Sequence, residues 1–142
     1  MSGEIPYKDG GNLDDLVDAA RNREVLEYLQ TRRPSCHSDC GDALLRAAAE
    51  KCGEWQAYSP SFRQCLYVAL ITGRRIFALG LGQRSVCLRL PPKLQEIALQ
   101  TGAVDAAEIA PGWVRFELFR ADWPTPDLTF WTLQAYAAAR QD

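Results

Sequence analysis

The stretch between residues 65 and 90 constrains the fold of this chain most. It holds three short apolar runs, CLYVALI over 65–71, RIFAL over 75–79 and SVCLRL over 85–90, separated by the turn sequences TGR and GLGQ. The runs are rich in β-branched and aromatic residues, and the last one alternates apolar and polar side chains as a strand does. The pattern predicts an antiparallel meander of three strands.

Two helical patterns precede the meander. Asn12 is placed to cap a first helix, which ends near Arg33 because the following proline disfavours helical backbone, with Asn22 as a break or second cap inside it. A second helix is predicted from about Asp39 to Cys52, followed by a glycine that ends it.

A helix, a strand and a last helix follow the meander. The sequence PPKLQEIALQTG places two prolines at a helix start and a glycine at its end. Alternation over Trp113–Phe119 predicts a strand, and Thr125 with Pro126 predicts the start of the final helix.

These elements predict one α+β domain over residues 12–142, after a flexible lead-in over residues 1–11. The element order is ααβββαβα, which favours a mainly antiparallel sheet with helices packed on one face. A chain of 142 residues with 47% hydrophobic residues can bury a core of its own, and no repeat or linker indicates a second domain.

Charge is distributed unevenly along the chain. The net charge is −2, yet the segment from Trp55 to Gln95 carries six of the 16 basic residues and none of the 18 acidic ones. Such an asymmetry indicates an anionic partner, although dispersed cations also serve simply to solvate strands.

The meander supplies the candidate binding residues for that partner. If its first and middle strands present their aromatic residues on one face, rings that stack on bases lie among arginines that hold phosphates, as on open sheets that bind single strands. The candidate nucleic-acid-binding residues are Arg63, Tyr67, Arg74, Arg75, Phe77, Arg84 and Arg89.

The motif SCHSDC at residues 35–40 contains the only histidine and two of the five cysteines. Cys36, His37 and Cys40 would be the ligands if the motif bound zinc, but the next cysteine lies roughly 18 Å away along the predicted second helix. We therefore expect no metal site and interpret the motif as a turn in which Ser38 or Asp39 caps that helix. A thiol activated by the helix start at Cys40 is the alternative.

Catalytic signatures are missing from the sequence. Every Cys–His or Ser–His pair would have to use His37, and neither a nucleophile elbow nor a phosphate-binding loop occurs. We predict no catalytic residue, no cofactor and no enzyme activity.

Four segments resemble the YjbR/MmcQ-like proteins, small bacterial α+β domains called double-wing, with TfoX-type domains as more distant relatives. They are RRIFALG at 74–80, VCLRLPPKLQEIA at 86–98, GWVRFEL at 112–118 and DLTFWTLQAYAAA at 127–139. The resemblance covers about half of the chain and implies the same architecture. It also favours nucleic-acid binding, which has been suggested for that family, and it implies no functional residue.

The sequence thus predicts a non-enzymatic binding domain that engages an anionic partner, either nucleic acid or an acidic protein surface. A protein–protein adaptor or homodimer is the first alternative, and a small enzyme or redox-sensitive protein using Cys40 and His37 is the second. Five cysteines are an odd number, which favours reduced thiols in the cytoplasm, and no apolar run predicts a membrane span or a membrane partner.

Overall fold

The structure, a computed structural model, describes residues 6–118 and 126–141. Seven strands form one sheet: β1 (Tyr7–Asp9), β2 (Gln56–Ser59), β3 (Val68–Thr72), β4 (Arg75–Leu81), β5 (Ser85–Arg89), β6 (Val104–Asp105) and β7 (Trp113–Glu117). Four α-helices accompany it: α1 (Arg23–Arg32), α2 (Ser38–Lys51), α3 (Pro92–Gln100) and α4 (Leu128–Gln141). Short 3₁₀ turns lie at Leu13–Asp15 and Phe62–Gln64.

The sheet confirms the predicted α+β fold. Its strand order is β1-β2-β3-β4-β5-β7-β6, and every neighbouring pair is antiparallel except β1 with β2. The predicted meander is β3, β4 and β5, joined by tight turns that use left-handed backbone at Gly73 and Gly82. The sequence predicted no strand before residue 12, yet β1 pairs with β2 there.

The first predicted helix is broken. Asn12 does cap a helical turn, by accepting from the Asp14 amide, but that turn covers only Leu13–Asp15. The α-helix starts after Asn22, which was predicted as a break or second cap, and Arg33 ends it in left-handed backbone. The predicted last residue of the 113–119 strand and the predicted Thr125 cap lie outside the described residues.

Both faces of the sheet are covered. Helices α2, α3 and α4 pack on one face, as predicted, around Leu44, Phe77 and Trp131. The opposite face was expected to be open, but the turn at Leu13–Asp15, helix α1 and the 106–110 loop bury it. Because successive side chains of a strand alternate between faces, the meander strands are apolar on both sides, and β3 is buried throughout.

In the part of the chain that the structure describes, no helix is long and apolar enough to cross a lipid bilayer.

Candidate anion-binding pocket

The SCHSDC segment lies between the diverging ends of β3 and β4. The Cys36 amide donates to the Cys65 carbonyl at 2.6 Å, and the His37 amide donates to the Gly82 carbonyl at 2.7 Å. The Gly82 amide returns a bond to the Ser35 carbonyl, also at 2.6 Å. The motif is therefore a structural part of the sheet rather than a free loop.

His37 caps helix α2. Its Nδ1 accepts a hydrogen bond from the Asp39 amide at 3.1 Å, so the predicted caps, Ser38 and Asp39, are wrong by one or two residues. An imidazole nitrogen that accepts in this way acts as the capping oxygen of serine or aspartate does.

The two thiols of the motif are buried and in contact. Cys36 and Cys40 have no exposed surface, and the sulfur of Cys36 packs closely against Gly80. The Cys40 thiol donates to the Ser85 carbonyl at 3.1 Å, and the Cys36 thiol donates to the His37 carbonyl at 3.4 Å. The interaction between the two thiols raises the pKa of Cys40, with burial adding to the rise, and lowers the pKa of Cys36. The burial and the raised pKa of Cys40 do not favour the alternative of an activated thiol. Among the described residues, no three His, Cys, Asp or Glu side chains cluster as metal ligands.

The predicted stacking face does not form. Tyr67 is 8% exposed in the core under α1, whereas Phe77 is fully buried in the core under α2 and α4. The two rings lie on opposite sides of the sheet because a bulge between Leu70 and Ile71 shifts the register of β3 and β4. Neither ring is available to stack on a base.

The predicted arginines are dispersed, except for two. Arg63 and Arg84 are exposed at separate turns, and Arg74 donates from its guanidinium to the Val17 carbonyl at 2.9 Å. Arg75 begins β4 and Arg89 ends β5, and the antiparallel pairing of these two interior strands brings both to the same end of the strands. Arg84 lies just before the other end of β5, roughly 16 Å from Arg89 along the strand.

Arg75 and Arg89 line one pocket together with Arg21, which precedes helix α1. We call this the arginine pocket. Its volume is about 130 Å³, and its floor includes Ile76 and Trp113, both almost completely buried. Sequence reasoning missed Arg21 because it lies outside the acid-free segment; the possible cap at the next residue was the only signal near it.

Asn22 holds the pieces of the arginine pocket together. Its side-chain oxygen accepts from the Ile76 amide at 2.8 Å, and its amide group donates to the carbonyls of Asp18 at 2.6 Å and Arg74 at 2.9 Å. The side chain is 2% exposed, so these bonds are shielded from water. They join the start of α1 to the start of β4, and thereby place Arg21 beside Arg75.

The electrostatics of the arginine pocket favour an anion. The Asn22 side chain bonds to β4, so no side chain caps the first amides of α1. These amides lie beside the pocket. The positive end of the helix dipole therefore adds to three guanidinium groups, while Glu24 is the one acidic residue among the lining residues. The volume suits one phosphate or carboxylate group rather than a whole nucleotide.

No family model matches this chain, and comparison with curated proteins and with solved structures finds no match either.

Proposed function

We propose that the chain is a non-enzymatic binding domain whose arginine pocket receives an anionic group of a partner. The observation that carries the proposal is the convergence of Arg21, Arg75 and Arg89 on one concave site beside an uncapped helix start. Guanidinium groups hold phosphate and carboxylate oxygens through pairs of hydrogen bonds, which is stronger and more specific than attraction to a point charge.

The partner we propose first is nucleic acid, bound through a backbone phosphate. The acid-free segment that carries Arg75 and Arg89 supports this choice because it contains no carboxylate that would repel a polyanion. Because both faces of the sheet are covered, the contact does not use base stacking. Binding through phosphates alone is independent of base sequence.

The resemblance to YjbR/MmcQ-like proteins is consistent with this role. Two of the segments that carry it, 74–80 and 86–98, include most of β4 and most of β5, the strands that supply Arg75 and Arg89. We place the protein in the cytoplasm, where its five cysteines, all free, would stay reduced.

Fluorescence anisotropy with labelled single- and double-stranded oligonucleotides tests the proposal. We expect binding at low salt that weakens as salt rises, with a slope of about 0.9 for each phosphate neutralised on duplex DNA. Replacing Arg75→Gln together with Arg89→Gln should weaken binding at least about tenfold, since each lost charge-assisted bond is worth ~1.5 kcal/mol or more.

Arg84→Gln is the matched control because it removes the same charge from the exposed turn at the other end of β5. It should change the affinity only slightly. Equal losses in both variants would mean that the whole basic segment acts as a diffuse charge, and absence of binding at low salt would exclude nucleic acid as the partner.

An acidic protein surface, including that of a second copy, is the alternative partner because carboxylates fit the same guanidinium groups. Light scattering at low and high salt checks for a homodimer. A dimer that dissociates at high salt, together with no oligonucleotide binding, would favour this alternative.

A further inference from the structure

A second pocket lies on the same side of the sheet, between the end of α1 and the start of β3. It has a volume of about 290 Å³, and its walls include Leu29, Pro60 and Leu66, with Gln30 and Arg33 as its polar side chains. Tyr67 also lines it, and we call it the Tyr67 pocket. A mainly apolar pocket of this size with a few polar groups is typical of small-molecule sites.

The hydroxyl of Tyr67 is a hydrogen-bond donor without an acceptor among the described residues. The side chain is 8% exposed, and its ring packs against Tyr58, whose own hydroxyl donates to the Gly11 carbonyl at 2.9 Å. Burial raises the pKa of the Tyr67 hydroxyl, which therefore keeps its proton at neutral pH. Because Tyr67 lines the pocket, its hydroxyl can donate to an acceptor group of a ligand bound there.

Strained backbone surrounds the Tyr67 pocket. Arg33 has φ 47° and Cys65 has φ 56°, and these are two of the three non-glycine residues with positive φ in the described part of the chain. Hydrogen bonds hold both: the Arg33 amide donates to the Leu29 carbonyl at 3.0 Å, and the Cys65 carbonyl accepts from Cys36. Strain of this kind tends to collect at ligand sites, where it fixes side chains in place.

The charge of Arg33 is available to a ligand. Its guanidinium forms no hydrogen bond or ion pair with a described residue, and the left-handed backbone places it at the rim of the Tyr67 pocket. The pocket therefore combines an apolar wall, a neutral donor at Tyr67 and one cation.

We propose that the Tyr67 pocket binds a small amphipathic carboxylate. The apolar body of the ligand packs on Leu29, Leu66 and the Tyr67 ring, and the carboxylate accepts hydrogen bonds from the Tyr67 hydroxyl and from Arg33. This site is separate from the arginine pocket and does not rest on the function proposed for it.

Titration with 2-naphthoate, followed by amide chemical shifts, tests the proposal, and 2-naphthamide serves as a neutral probe of the same shape. We expect saturable binding of 2-naphthoate with shifts centred on Leu66 and Tyr67, and about tenfold weaker binding of the amide. Tyr67→Phe keeps the ring and should weaken 2-naphthoate about three- to tenfold. Arg33→Gly relieves the backbone strain and should abolish the preference for the carboxylate.

Arg46→Gln on the exposed face of α2 is the control, and it should leave both affinities unchanged. The reactivity of Cys65 gives an independent measure of binding. It is the one exposed cysteine, and it directly precedes Leu66 of the pocket wall. A 2-naphthoate concentration that just saturates the wild type should slow the reaction of Cys65 with Ellman's reagent more in the wild type than in Arg33→Gly. The proposal is overturned by shifts spread over the surface, by equal affinity for the two probes, or by wild-type affinity in Tyr67→Phe.

Discussion

At the scale of single residues, buried polar groups hold this structure in register. Asn22 is the clearest case, because its side chain bonds to the Asp18 carbonyl and to two backbone groups at the start of β4, more than 50 residues away. A side chain with those partners fixes both the break before α1 and the position of the arginine pocket.

Asn22→Ala should lower the free energy of unfolding by ~2–3 kcal/mol. The change leaves the Ile76 amide without its partner in a site shielded from water. The Asp18 and Arg74 carbonyls each lose one hydrogen bond and keep the one that a backbone amide donates. Urea denaturation measures the loss. Arg46→Ala, on an exposed helix position, should cost less than ~0.5 kcal/mol. Equal stability of the two variants would mean that these bonds do not contribute.

The buried thiol of Cys87 should make the free energy of unfolding depend on pH. Burial in the sheet raises the pKa of its thiol from 9.0 to about 12. The folded state therefore keeps the proton while the unfolded chain loses it. The stabilisation that the protonated Cys87 thiol gives to the folded state is complete below pH 9. It is lost at up to ~1.4 kcal/mol per pH unit as the pH rises toward about 12.

Urea unfolding at about pH 8 and about pH 10.5 checks this, with Cys87→Ala as the comparison. The wild type should lose more stability than the variant over that interval, because every other titrating group is common to both chains. Identical losses would show that the thiol ionises alike in both states.

At the scale of elements, a turn signal fixed where α2 begins but not which residue caps it. Proline before the motif and the apolar spacing after it placed the helix within one residue at each end. His37 caps the helix because the strand-like hydrogen bonds of residues 35–37 to the sheet orient its ring toward the first helical amides. Those bonds come from partners more than 25 residues away, which a local pattern does not contain.

His37→Ala should lower the unfolding free energy by ~1 kcal/mol, and His37→Ser should restore most of it. Thermal denaturation at neutral pH compares the three chains. If the serine variant is no better than alanine, the imidazole stabilises the fold in some way other than capping.

Zinc content separates capping from metal binding at the same motif. Mass spectrometry of protein purified without chelator should find far less than one zinc per chain, and chelator should leave the thermal midpoint unchanged. One equivalent of zinc, lost together with stability on chelation, would make Cys36, His37 and Cys40 ligands after all.

The short strands show where sequence patterns fail. β1 has three residues and β6 has two, so neither is long enough to display alternation. β2 is buried along most of its length yet contains only QAYS, which carries little apolar signal. Each forms because a neighbouring strand offers unpaired backbone groups to it: β3 to β2, β2 to β1 and β7 to β6.

At the scale of the whole molecule, the covered second face decides what the basic segment can do. The meander strands were predictable from alternation and turns, and so was the layer of α2, α3 and α4. The position of α1 was not, because its stripe of Val25, Leu26 and Leu29 would fit either face. With both faces buried, the arginines of the basic segment lie only at strand ends and in turns.

The arginine pocket was predictable from the sequence only in part. Arg75 and Arg89 belong to the acid-free segment, and their antiparallel strands bring them together. Arg21 joins them only because Asn22 bonds α1 to β4, which is a tertiary contact. Tyr67 and Phe77 lie on opposite faces of the sheet because a bulge changes which β4 side chains point to each face. No turn residue in the sequence indicated that bulge.

The most direct test of the arginine pocket is a titration of the wild-type chain with inorganic phosphate, followed by amide and arginine side-chain chemical shifts. If the pocket binds anions, saturable shifts should appear at the first amides of α1, Arg23 and Glu24, and at the guanidinium groups of Arg75 and Arg89. These shifts should disappear in the Arg75→Gln, Arg89→Gln double variant and remain in Arg84→Gln. Shifts centred on the turn at Arg84, or none that saturate, would contradict it.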